Sequence, residues 1–192
     1  MTELERGIRM RTRNRNVYSR LAASRFALLA SGMPRNDSPG AAILAHWRRL
    51  SALPGGRWLF SKLLGWMVPY SGSVSPRVLL LEPGHVRVRI VERRALRQHL
   101  GSVHAIALMN VAEMASGLAM LGALPLGMRG IVTKIGIEYF KKARGALTAE
   151  SHCSVAADVA PGEYDYLSEV TDEAGDLVAR ATVTWKLGPV PT

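Results

Sequence analysis

The rhythm of apolar and polar positions changes several times along the chain. Asn36–Asp37–Ser38–Pro39 reads as a cap running into a helix, with Pro39 in the first turn, where a missing N–H costs nothing. That helix carries Ile43, Leu44, Trp47 and Leu50 on one face. Pro54–Gly55–Gly56 breaks it, and Trp58–Val68 resumes a helical pattern with Leu59, Leu63, Trp66 and Met67. The pair is expected to pack on the domain that follows, with a membrane-surface role for its mixed Trp and Arg face as the alternative.

From Arg77 the period falls to two. Val78–Leu81 and Val86–Val91 flank the turn Glu82–Pro83–Gly84–His85, and Val86, Val88 and Ile90 alternate with Arg87, Arg89 and Val91, so a hairpin with one buried face is predicted. An Arg- and His-rich loop, Glu92–Gly101, follows. Ser102–Gly122 then shows no alternation and is apolar nearly all round, which predicts one buried helix ended by Leu124–Pro125–Leu126–Gly127. Four strands complete the pattern: Ile131–Phe140, Ala146–Ala157, Tyr164–Thr171 and Leu177–Leu187, the first two joined by the basic turn Lys141–Gly145 and the last two by Asp172–Gly175. A helix with no wet face must lie inside a sheet, so the predicted class is α+β, an antiparallel sheet wrapped around one long central helix.

Composition sharpens this picture. A chain of 192 residues, 48% apolar, suits one sizeable core. No uninterrupted apolar run of bilayer length is evident, so integral membrane association is not expected. The single cysteine, Cys153, excludes an intramolecular disulfide and fits a reducing cytoplasm. No metal is expected, because the five histidines (46, 85, 99, 104, 152) lack ligand spacing along the chain. The net charge of +10 sits mostly in residues 1–35, where eight arginines face only Glu3 and Glu5. That segment reads as a basic, disordered extension, with a targeting segment or a non-specific DNA-binding arm as alternatives; no base-reading pattern accompanies it, so no specific nucleic-acid partner is expected. The expected divisions are 1–35 for the extension, 36–75 for the helical appendage and 76–188 for the sheet-and-helix domain.

Gly101–Ser102–Val103–His104–Ala105, followed by Asn110–Val111–Ala112–Glu113, resembles the active-site signature of PaaI-like hotdog thioesterases, in which an acid follows a loop His by nine residues, as Glu113 follows His104. Residues 135–145 and 177–182 resemble later strands of the same family, in a branch catalogued as a domain of unknown function. The resemblance implies a hotdog fold and acyl-CoA thioester hydrolysis without a cofactor, by a homodimer or homotetramer. It implies Glu113 as base or nucleophile, Ala105 N–H as oxyanion donor, and His104, Gly101 and Ser102 as parts of the loop. The family's Gly-Gly after the His is Ala105–Ile106 here, with Ile106 expected to narrow the pocket. The family's Asn six residues before the His is Gln98, and its Pro in the strand-to-turn segment is Lys142.

The residues themselves support a similar set. A carboxylate at Glu113, in a helix otherwise built of Val111, Ala112, Met114 and Ala115, is costly to bury and gains basicity there, unless it reaches solvent or pairs with an arginine. Asn110, Ser116 and Gly117 lie one turn from it and are candidate substrate contacts. Lys141, Lys142 and Arg144 are either a solvated turn or a site for coenzyme A phosphates, with Arg87, Arg89, Arg93, Arg94 and Arg97 as rivals. Thr133 is a candidate hydroxyl from a partner subunit. Two other readings stay open: a hotdog hydroxyacyl dehydratase using His99 and Glu113, and an acyl-ligand binder without catalysis.

Overall fold

The computed structural model describes residues 39–190. The basic extension and the cap expected at Asn36–Ser38 lie outside the described residues.

Among the described residues three helices come first: α1 (Pro39–Ser51), α2 (Gly56–Met67) and the single turn α3 (Pro69–Gly72). The hairpin β1 (Arg77–Glu82) and β2 (His85–Val91) leads through a short 3-10 turn at Arg94–Leu96 to the central helix α4 (Ala105–Ala123). Strands β3 (Met128–Tyr139), β4 (Ala146–His152), β5 (Gly162–Thr171) and β6 (Leu177–Pro189) follow. All six strands form one antiparallel sheet in the order β1-β2-β4-β5-β6-β3.

α4 lies across every strand of that sheet. Its length and composition suffice for a membrane span, contrary to the sequence expectation that no such segment exists. Its apolar surface is instead taken up by the sheet: Val111, Ala112, Ala115, Ala119 and Met120 are fully buried against strand residues such as Val86, Val88, Leu147, Val170 and Val183. Small residues bring the helix close. At Gly117 an added Cβ would stand 3.0 Å from the Trp185 ring, and the indole N–H of Trp185 donates to Ser116 Oγ at 3.2 Å.

The helix starts three residues later than the sequence pattern predicts. Ser102–His104 are drawn instead into a bridge between Val103 and Arg97, and His104 becomes the N-cap. β4 likewise stops at His152, short of the predicted Ala157.

The appendage packs on the domain, but with a different face of α2 from the one expected. α1 buries Leu44 and Trp47 as predicted, and Trp47 meets Phe60 edge-on at 5.1 Å. α2 buries Gly56, Phe60, Ser61 and Leu64, whereas Leu59, Leu63 and Trp66 are exposed. The reason is polar. Ser61 Oγ accepts the Val78 N–H at 3.0 Å, and Arg57 donates to Leu79 O at 3.2 Å, so α2 turns its Ser61 side to β1 and blunts that sheet edge. The opposite edge, β3, is twelve residues long, pairs among the described residues with β6 alone, and exposes Ile131 and Tyr139.

The β1–β2 turn is pinned by Gly84. Its φ is +76°, its N–H donates to Ala119 O, and its carbonyl accepts from the Cys153 N–H. A Cβ there would lie 2.3 Å from the Cys153 carbonyl oxygen. Gly84→Ala therefore combines left-handed strain with a backbone clash and is expected to destabilise the fold by about 2–4 kcal/mol, read as a lower urea midpoint at unchanged slope.

Candidate active site

The loop before α4 is built by reciprocal hydrogen bonds. Gln98 N–H donates to Ser102 O, Gly101 N–H donates to Gln98 O, and the Gln98 side-chain amide donates to Ser102 Oγ at 2.7 Å. Gly101 takes φ +69° to close this turn. Gln98 and Ser102 thus engage each other, and His99 stands exposed at the tip. No hydrogen bond or ion pair joins His99 to Glu113 among the described residues.

His104 leaves the loop with its N–H on Leu96 O, and its Nδ1 accepts the Ile106 N–H at 3.1 Å. It acts as the helix cap, in the manner of a side chain satisfying an orphan first-turn donor. Ala105 is the first helical residue, so its N–H has no intrahelical acceptor and points along the positive end of the helix. Ala105 O accepts the Tyr139 hydroxyl of β3 at 3.2 Å.

One stripe of α4 stays accessible: Ile106, Met109 and Glu113, at helical spacing. Ile106 is 46% exposed. Glu113 is half-buried, and burial raises its carboxyl pKa above the ordinary value. No arginine pairs with it among the described residues. Its Oε1 lies 3.9 Å from where a Gly117 Cβ would sit, on the side where Trp185 of β6 packs.

The other sequence candidates divide into groups already engaged and groups left open. Ser116 is fully buried and held by Trp185, and Gly117 provides the room for that ring, so both serve the helix–sheet contact. Asn110 donates its amide to Tyr70 O at 3.1 Å, tying α4 to the appendage, while its buried Oδ1 has no partner among the described residues. Thr133 falls in the β3 bulge between Val132 and Lys134, on the open edge, with its hydroxyl 3.4 Å from Thr184 O.

The basic turn abuts the pre-helix loop, because Val103 N–H donates to Ala143 O at 2.9 Å. Lys141 is committed to Asp172 and Asp176 at the β5–β6 turn. Lys142 and Arg144 stay exposed. Among the rival arginines, Arg87 meets Glu150, Arg89 meets Glu173, Arg97 meets Glu92, and Arg93 donates to Ser73 O, while Arg94 is exposed. Glu92 was not singled out in the sequence, yet it joins loop and turn: its carboxylate accepts from Gly145 N–H and Arg97, which holds its pKa below the ordinary value. Tyr139 was missed as well, since a strand tyrosine carries no spacing signal toward a helix it meets only in three dimensions.

A family model described as a domain of unknown function (DUF4442) matches residues 56–187. Among solved structures, a structural-genomics protein called APC5556 is 30% identical, with a TM-score of 0.68, over 77% of this chain and 98% of its own. A Pseudomonas aeruginosa protein of unknown function, named a probable thioesterase, is 24% identical with a TM-score of 0.61, over 72% of this chain and 97% of its own. A Haemophilus influenzae thioesterase is 13% identical with a TM-score of 0.57, over 64% and 85%. What the last two share with this chain is the hotdog fold. No curated protein matches the sequence.

Burial of Glu113 has a consequence for stability. Its carboxyl holds a proton to higher pH in the fold than in the unfolded chain, so the folded state binds more protons between the two pKa values. Stability contributed at this position is therefore lost as pH rises through that window, which opens at the ordinary value of 4.5. Glu113→Gln is expected to raise the denaturant midpoint at pH 8 and to change it little at pH 4. An offset of equal size at both pH values would show that the carboxylate is not held out of water.

Proposed function

Because this chain belongs to the DUF4442 family of hotdog-fold proteins, we propose that it hydrolyses an acyl thioester, with Glu113 as base or nucleophile and the Ala105 N–H as oxyanion donor. The observation that carries this reading is the placement of Glu113: one half-buried carboxylate on the accessible stripe of an otherwise apolar helix, flanked by Ile106 and Met109. Its raised pKa brings a carboxylate closer to the range in which general bases work at neutral pH. The apolar flanks suit an acyl chain. The positive helix end at Ala105 suits the oxygen on which charge develops during attack. Lys142 and Arg144, exposed on the turn that abuts the loop, are candidate cations for coenzyme A phosphates, with exposed Arg94 as a rival.

With these roles, helix geometry supports a site shared between two chains. Ala105 and Glu113 are eight residues apart, so about 12 Å separates them along α4 at a rise of about 1.5 Å per residue. An attacking group and an oxyanion donor that serve one carbonyl both lie within about 3 Å of it. One α4 cannot supply both. A second copy, running antiparallel beside the first, supplies the missing half to each of two equivalent sites, and the uncovered β3 edge and exposed Glu113 stripe are the surfaces it would cover. The assembly is thus a dimer, or a tetramer made of such dimers.

Free-thiol release from a panel of acyl-CoAs tests the activity. Glu113→Gln should lower kcat by about 10²–10⁴-fold, and binding without turnover by the unaltered protein would instead make it an acyl-ligand binder. Ala105→Pro tests the geometry separately. Proline is tolerated at the first helical position and its only loss is the N–H, so activity should fall about 10²–10³-fold in a folded dimer. Mixed dimers of the two inactive variants should regain roughly a quarter of the activity, because half are hybrids with one intact site of two. Mixtures that stay inactive after subunit exchange would place both groups in one chain.

A further inference from the structure

Away from α4, the sheet has a second face. The β2–β4 register sets His85 opposite His152 and Arg87 opposite Glu150. The intervening residues Val86, Val88, Ala149 and Ser151 are buried inward, so these four side chains all project outward. The two imidazoles stack with centroids 3.9 Å apart and planes 20° from parallel. Both present Nε2 to the same carboxylate oxygen: His85 at 2.7 Å from Glu150 Oε1, and His152 at 3.3 Å. All three donor atoms lie within 4.8 Å of one another.

We propose that His85, His152 and Glu150 form a binding site for a divalent transition-metal ion of the zinc type. The two histidine–carboxylate separations, 2.7 and 3.3 Å, lie near the roughly 3.3 Å edges of a tetrahedron with bonds of about 2.0–2.1 Å to nitrogen and oxygen, and an arriving ion turns one imidazole out of the stack so that both Nε2 lone pairs face it. Two imidazole nitrogens and one carboxylate oxygen suit zinc, cobalt, nickel or copper, whereas magnesium and calcium seek oxygen alone. Arg87 Nε lies 3.4 Å from Glu150 Oε2, which occupies that oxygen and leaves Oε1 for the ion. Glu169, across from Glu150 on β5, is neutralised by Arg180 at 2.7 Å and adds no free charge. The Glu150 carboxyl is held below its ordinary value, since the His85 hydrogen bond and the Arg87 charge outweigh burial. Cys153 is not part of the set: its side chain packs against the core on the opposite face, and burial pushes its thiol up to about 11.

The histidines are partly exposed, so water completes the coordination. The ion joins the start of β2 to the end of β4 beside the Gly84 turn, on the sheet face opposite α4 and Glu113. Its role is therefore structural, holding the hairpin to the sheet. Sequence spacing misses it because the two histidines lie on different strands and meet only through register.

Titration of the tag-free, metal-stripped full chain with Zn²⁺ in a calorimeter tests this, with Co²⁺ absorption reporting geometry. The expected result is one ion per chain, intense Co²⁺ d–d bands, and a raised melting temperature with Zn²⁺. His85→Ala/His152→Ala should lose the stoichiometric ion, and Glu150→Gln should bind at least about tenfold more weakly. Neither should show the zinc-dependent rise in melting temperature of the wild type, each variant being compared with its own metal-free form. Undiminished one-to-one binding in the double variant, or no zinc uptake by the wild type at micromolar concentration, overturns the proposal.

Discussion

An α-helix that is apolar on nearly every side can be stable in water only if something surrounds it, and most of this fold follows from satisfying α4. Six strands supply inward-facing residues of the right size, and the helix answers with Ala112, Ala115, Gly117 and Ala119, which let the sheet approach closely. Trp185 shows how tight the fit is: its ring lies over Gly117 and its N–H donates to the Ser116 hydroxyl, so a large aromatic and its polar edge are both accommodated. The same wrapping leaves one stripe uncovered, and there the carboxylate resides.

The periodicity of the sequence made the order of elements legible because each element is dominated by one burial pattern. Alternation in 86–91 reports a sheet with one wet face, and the lack of alternation in α4 reports a helix without one. Where polar contacts decide the outcome, pattern fails. The apolar moment of α2 points to Leu59, Leu63 and Trp66, yet the helix rotates to give Ser61 to the β1 edge, because an unpaired strand N–H has few other acceptors there. The start of α4 slipped for a similar reason: Ser102 and Val103 have acceptable helical propensity, but the Gln98 and Ala143 backbones offer them hydrogen bonds that a helix end would not.

The candidate site was legible as a neighbourhood and less so as a set of roles. His104, Ala105 and Glu113 could be named because they match the loop-to-helix signature of PaaI-like hotdog thioesterases, a choice that spacing alone left open. Which groups were already spoken for was not visible. Asn110 looks toward the appendage through Tyr70, Ser116 toward Trp185, and Lys141 toward Asp172 and Asp176, and each of those partners lies at least thirty residues away in sequence. Glu92 and Tyr139 escaped notice for the converse reason, since their importance lies wholly in such distant partners.

What remains open in a single chain is instructive when taken together. A twelve-residue strand edge without a neighbour, an exposed apolar stripe on a helix otherwise sealed, a carboxylate whose proton is held more tightly by partial burial, and a buried amide oxygen without a donor are each costly alone. They also lie on connected parts of the fold, since α4 contacts β3 and the Tyr139 hydroxyl joins that strand to the helix start. A second copy laid against that side answers the edge and the stripe by covering them. It leaves the carboxylate to be answered by water or substrate, and under the proposed function the roughly 12 Å along the helix would make a partner's N–H the donor within reach. The incompleteness of the isolated chain and the chemistry proposed for it thus have one physical origin.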